Sequence, residues 1–131
     1  MNFSIGQYIY AKLNAITALK DKVFPVVALF ESEDNTVTPF AVYYRDSYQP
    51  DYTKDMYAET ATHTYGVRIY DDDYTNTLTL AKSVCDAMME LSYEVKSDIR
   101  FGQVRLTGLS ESFIDGLYSQ ELTFEIQTEE I

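Results

Sequence analysis

Between His63 and Leu91 the sequence HTYGVRIYDDDYTNTLTLAKSVCDAMMEL changes its apolar period once, from that of a strand to that of a helix. Tyr65, Val67 and Ile69 alternate with Gly66, Arg68 and Tyr70, the pattern of a strand with one buried face. From Leu78 onward Leu78, Ala81, Cys85 and Met88 fall at helical intervals, with Val84 and Leu91 widening the stripe. One-faced strands and one-faced helices are stable only when the two bury each other, so this stretch commits the chain to a sheet layered with helix. Gly66 weakens the strand, which predicts a bulge or a large neighbour lying over it. Asp71, Asp72 and Asp73 stop the strand, and Asp73 or Thr75 is placed to cap the helix. The aspartates lack the spaced oxygens and late glutamate of a calcium loop, so they read as a bend and a helix start.

The same patterns extend along the chain. Ile5, Tyr8, Ile9, Leu13 and Ile16 predict a first helix over about Ser4 to Leu19, with Ser4 as its cap. In VFPVVALFE, Pro25 cannot donate in a central ladder, so Val26 to Glu31 reads as a short strand or an extended lead-in. Phe40, Val42 and Tyr44 give a second strand ending near Arg45. DSYQPDYTKDMY has no clean period and reads as a hairpin tip or protruding arm at about residues 46–59, the strand resuming around Met56. Helix 2 is expected from about Thr75 to Leu91. IRFGQVRLTGL reads as a strand, SESFIDG as a short irregular link with Gly116 turning the chain, and Tyr118, Leu122, Phe124 and Ile126 as the inner face of the last strand. The tail QTEEI is expected to be loose. The order predicts one α+β domain over residues 1–131: a largely antiparallel sheet, two helices packed on one face, and a long central hairpin.

At 131 residues the chain can bury a core without metal or disulfide staples. Its one cysteine, Cys85, is expected to be buried with Leu78, Ala81 and Met88. MNFSIGQYIYAKL lacks a basic start and a long apolar run, and no segment is long enough to span a bilayer, so the expectation is cytoplasmic assembly without a membrane partner. A formal charge of −11 argues against gripping phosphate backbones.

Chemistry is hard to find. The one histidine, His63, lies in a hairpin strand and reads as a surface or interface residue; no nucleophile elbow supports a triad with Ser110 or Ser119. One cysteine and one histidine are too few for zinc. Glu59, Asp71 and Glu125 are read as surface charge, the sequence not saying whether they share a cleft, and none of the five glycines forms a phosphate-cradling loop. The reading is of no catalytic residue, no cofactor and no metal. What remains unexplained is an acidic surface and a tyrosine-bearing loop. Exposed tyrosines most often serve protein contacts, so Tyr48, Tyr52 and Tyr57, with His63 and Arg68, are the candidate interface residues.

The succession of these segments resembles the small tail-completion, or tail-terminator, proteins of long-tailed phages and prophages. ITALKDKVFPVVA is similar to that family's passage from first helix to proline. TPFAVYYRD resembles its aromatic strand, HTYGVRIYDDDYTNTLTLAKSVCDAM its strand, bend and helix, and LTGLSESFIDGLYSQELTFEI its closing strand pair. The resemblance implies a virion-tail protein, assembled in the host bacterial cytoplasm, that forms a ring, commonly a hexamer, with sheets joining neighbours. Such a ring caps the tail tube, meets the head-side connector, and lets DNA pass through its lumen without specific binding. The length and tyrosine content of RDSYQPDYTKDMYAE depart from the family pattern. A head–tail connector, a minor tail component, and a small α+β ligand-binding or regulatory module are the alternative readings.

Overall fold

The two most strand-like segments of the chain, Thr60–Asp71 and Leu117–Glu130, pair antiparallel along their length in the computed structural model, which describes residues 1–26, 37–53 and 59–131. The elements in chain order are α1 (Gly6–Asn14), β1 (Val23–Pro25), β2 (Phe40–Asp51), β3 (Thr60–Asp71), α2 (Tyr74–Met89), β4 (Ile99–Ile114) and β5 (Leu117–Glu130). They form one sheet in the order β1-β2-β3-β5-β4; β1 runs parallel to β2 and every other pair is antiparallel. The fold is α+β. Ile5, Ile9 and Leu13 at α1 and Leu80, Val84 and Met88 on α2 share one core with Tyr65, Val67, Ile69, Leu122, Phe124 and Ile126 from the sheet. Both helices therefore cover the same face. Phe40 and Val42 head a smaller cluster on the opposite face, where Phe40 stacks on Tyr70.

Local chemistry sets the element ends. Asp73 caps α2, its carboxylate accepting from the Asn76 N–H at 3.3 Å. Asp115 and Gly116 both have positive φ, 56° and 81°, as a two-residue hairpin turn twisted like its strands requires. Tyr44 lies directly across from Gly66, and a Cβ built there would sit 2.3 Å from the tyrosine ring. The glycine makes room for the ring, over which Arg68 rests at 4.9 Å.

Several boundaries differ from the sequence expectation. α1 stops at Asn14, followed by a single 3-10 turn at Thr17–Leu19, and Ser4 does not cap it. Its hydroxyl instead bonds Asn2, 2.6 Å away. The first strand is Val23–Pro25 and Val26 already turns, with φ 58°; residues 27–31 of the expected strand lie outside the described residues, as does Met56. β2 runs on to Asp51 instead of ending near Arg45, because a bulge between Arg45 and Ser47 absorbs one residue and breaks the alternation in the sequence. SESFIDG is not a link: β4 continues through Ile114, held by backbone pairing and by the Ser112–Ser119 hydroxyl contact at 2.6 Å rather than by apolar burial. The tail is not loose. β5 reaches Glu130, whose N–H donates to Glu59 O at 2.8 Å and whose carboxylate meets the Met1 amino group at 2.8 Å.

On α2 the buried stripe is Thr77, Leu80, Ala81, Val84, Ala87 and Met88. Leu78 is 42% exposed and Cys85 is half-buried, so the helix is rotated from the expected setting. The chain offers two overlapping apolar stripes on this helix. The Gln120 amide, donating to the Thr77 hydroxyl at 3.3 Å, favours the one observed.

Replacing Gly66 with alanine should displace the Tyr44 ring and destabilise the protein by about 1 kcal/mol in urea unfolding. In a Tyr44→Ala background the same change should be neutral or stabilising, because alanine then meets no ring and glycine's entropy penalty is removed. Equal effects in both backgrounds would show that the ring contact is irrelevant.

Candidate functional site

The candidate residues of the central hairpin do not gather into one site. His63 is on the helix-covered face of β3 and fully buried, not at the surface. Its Nε2 lies 3.2 Å from the Thr128 hydroxyl, while Nδ1 is buried without a hydrogen-bond partner. Tyr48 stands edge-on to it, with ring centroids 4.8 Å apart, and touches Phe3 on its other side at 4.9 Å. Period-two alternation carries His63 inward with Tyr65, Val67 and Ile69, a signal present in the sequence but outweighed by its threonine neighbours. Burial, and then the nearby Arg45 guanidinium, lower the imidazole pKa from 6.5 to about 4. At neutral pH the ring is an uncharged packing element.

Tyr52 is exposed just past the end of β2, and Tyr57 lies outside the described residues. Arg68 is on the opposite face of the sheet from His63. Its Nε donates to the Glu121 carboxylate while the guanidinium covers the Tyr44 ring. It begins a series of cross-strand ion pairs on that face, continued by Arg105 with Glu125 at 3.2 Å and Arg100 with Glu129 at 3.7 Å.

No arrangement for group transfer is assembled among the described residues. Ser119 bonds Ser112, seven pairs along the sheet from the position of His63 and on its other face. Glu59, Asp71 and Glu125 are equally scattered: Glu59 is exposed before β3, Asp71 accepts from the Asn76 amide at 2.5 Å, and Glu125 pairs with Arg105. No group of three or more metal-ligating side chains is found among the described residues. A shallow depression of roughly 330 Å³ at one end of the sheet is lined by Thr60, Thr62, Arg100, Gln127 and Glu129, without a nucleophile–base pair.

The surface that sequence reasoning missed is the distal half of the β4–β5 hairpin. Leu109, Phe113 and Ile114 are more than half exposed there, at 56%, 59% and 62%. They lie on an edge strand, Leu109 and Phe113 on the helix-covered face and Ile114 on the other, and Tyr74 Oη of α2 donates to Glu111 at 2.9 Å. Reading SESFIDG as a link hid Phe113 and Ile114, while Leu109 closes the segment read as a strand. An edge strand with exposed apolar side chains is a surface for another chain.

No family model matches the sequence, and no curated protein matches it either. The fold is similar to that of a chain in the virion of a native gene transfer agent particle, with a TM-score of 0.68 and 15% sequence identity. That likeness covers 98% of this chain and 99% of the other. At this identity it is a likeness of fold.

The buried histidine makes stability depend on pH. The unfolded chain takes up a proton near 6.5 and the folded chain only near 4, so stability should fall as pH drops through that window. The gap corresponds to about 3 kcal/mol. His63→Gln should flatten the profile between these values. Since carboxylates titrate in the lower half of the window, the measurement is the difference between the two profiles by chemical unfolding; parallel profiles would show that His63 is not held neutral.

Proposed function

We propose that this chain is a structural protein of a phage-like virion, and within it the tail terminator: a ring, of about six copies, that caps the tail tube and presents a face to the head-side connector. The observation that carries the reading is the end-to-end fold likeness to a virion chain, which leaves almost no part of either protein unmatched. The ordered resemblance of the segments to tail-terminator proteins supplies the tail and the ring. The distribution of side chains agrees with structural work: histidine buried as packing, three of the four arginines in cross-strand pairs, and exposed apolar side chains on a sheet edge.

The acidic composition fits a protein past which DNA moves. A ring of such copies carries tens of net negative charges, and a lumen without a basic lining does not hold phosphates. The same charge opposes ring closure. Exposed charges are screened over a Debye length of about 10 Å at 0.1 M salt, whereas apolar burial is little affected.

Two outcomes are expected. In sedimentation across a salt series, self-association should strengthen from low to moderate salt, and duplex DNA should not co-sediment at any salt; tight DNA binding at low salt would overturn the passive lumen. In electron microscopy of purified particles, labelled copies should form a single ring at the head-proximal end of the tail. Labelling elsewhere, or none, would reject the terminator.

A further inference from the structure

Four of the five glutamates of β4 and β5 are ion-paired: Glu121 with Arg68, Glu125 with Arg105, Glu129 with Arg100 and Glu130 with the Met1 amino group. Glu111 is the exception. It is exposed on the helix-covered face of β4, opposite Gln120, and meets no cation among the described residues. What holds it is neutral. Gln120 Nε2 donates to its Oε2 at 3.0 Å, and Tyr74 Oη donates to the same oxygen at 2.9 Å.

These two donors belong to a closed circuit. Gln120 is buried, and its amide also donates to the Thr77 hydroxyl at 3.3 Å. Thr77, itself buried, donates to the Tyr74 carbonyl at 2.6 Å. Tyr74 completes the loop through its own hydroxyl. A buried amide, a buried hydroxyl and the first turn of α2 thus fix one oxygen of an exposed carboxylate. The other oxygen, Oε1, receives no hydrogen bond from the described residues. Gln120, and then Tyr74, hold the carboxyl below the usual glutamate range, so the group stays ionised at neutral pH.

The walls around this carboxylate are aromatic and apolar. Tyr74 stands edge-on to Tyr118 with centroids 5.5 Å apart, and Tyr118 touches Phe113 at 4.6 Å. Leu109 and Phe113 flank Glu111 on the same face of the strand, two residues away on either side, and both are exposed. A small anion or a neutral apolar group would use only part of this arrangement. A cation with a flat face uses all of it. The free oxygen accepts its hydrogen bonds, a ring takes its face, and Leu109 takes the apolar side chains beside it.

We propose that Glu111, with Phe113, Tyr118 and Leu109 around it, is a receptor for an arginine side chain of another protein, one flanked in its own chain by apolar residues. Arginine suits the site better than lysine because its planar guanidinium stacks on a ring while an edge N–H reaches a carboxylate oxygen. The occupant is not a second copy. Of the four arginines here, Arg68, Arg100 and Arg105 are ion-paired, and Arg45 donates to the Phe3 carbonyl and lies over the Tyr65 ring. Two copies of charge −11 also repel, whereas a basic partner is attracted. The site is complete within one copy, so it goes beyond the ring reading and does not need it.

The probe is the capped peptide Leu-Ser-Arg-Ser-Leu, compared with the same peptide carrying neutral citrulline in place of arginine. Each is titrated into isotope-labelled protein and followed by amide NMR. The Gln120 side-chain resonances and the backbone from Leu109 to Phe113 should shift and saturate with the arginine peptide. Its affinity should exceed that of the citrulline peptide by about tenfold, as for a charge-assisted hydrogen bond. Glu111→Gln keeps an acceptor for Tyr74 and Gln120, and should bring that ratio to about one. Phe113→Ala should weaken the arginine peptide by about threefold, the scale of an exposed cation–ring contact, at unchanged far-ultraviolet circular dichroism. Equal affinity of the two peptides for the parent protein overturns the proposal without any variant. So does the absence of a saturable shift at millimolar peptide. Shifts of the same resonances that grow with protein concentration and no peptide would give this surface to a second copy, and overturn it as well. A ring seen at the tail end despite such a failure leaves the proposed function standing; arginine recognition in a protein whose particles show no ring leaves the site standing.

Discussion

The pairing of β3 with β5 is the constraint on which the rest of the structure depends. Its register runs from Thr60 against Glu129 to Asp71 against Tyr118 without interruption. That continuity sets Tyr65, Val67 and Ile69 on the same side as Leu122, Phe124 and Ile126, and both helices bury their apolar stripes against this block. A slip of one residue would turn one of the two rows to solvent and leave the helices nothing to cover. The irregularities are kept out of this pair: one bulge lies between β2 and β3, at Arg45–Ser47 of β2, and two lie in β4. The centre is regular and the periphery carries the adjustments.

This division explains what the sequence disclosed. β3, β5 and α2 were legible because burial on one face imposes a strict period and nothing local competes with it. Asp73 and the Asp115–Gly116 turn were legible because their backbone roles call for specific residue types. The outer strands were not. The bulge shifts the phase of β2 after Arg45, so Tyr48 joins Arg45 on the helix side and the tyrosines lose their apparent pattern. The distal part of β4 has little apolar burial to announce it, since cross-strand pairing holds it. The end of β5 is fixed by contacts to Met1 and Glu59, remote in sequence and invisible to any local window. Of the candidate interface residues, His63 was misplaced by weighing its polar neighbours above its phase, Arg68 proved to be committed to Glu121, Tyr48 packs against His63 and Phe3, and Tyr52 is exposed just past the end of β2.

The two faces of the sheet are built from different physics. The helix side is a dry core in which even the histidine is held neutral. The other side is a solvated lattice of threonines, serines and cross-strand ion pairs, with a small apolar cluster at the Phe40 end. Exposed pairs of this kind contribute little to stability. Their effect here is to neutralise arginines locally, so that the remaining acids set the field of the face.

Edges are dangerous as well as useful. A sheet that exposes its whole edge can pair in many registers and aggregate; one that covers every edge cannot assemble through its backbone at all. Among the described residues β1 pairs with β2 at Ala41–Tyr43 and the loop from Ser92 to Asp98 bonds β4 as far as Val104, at opposite heights of the sheet. The net charge of −11 raises the free energy of encounters between copies. Partial edge coverage limits the registers in which a sheet can pair, and an acidic surface opposes non-specific contact between copies.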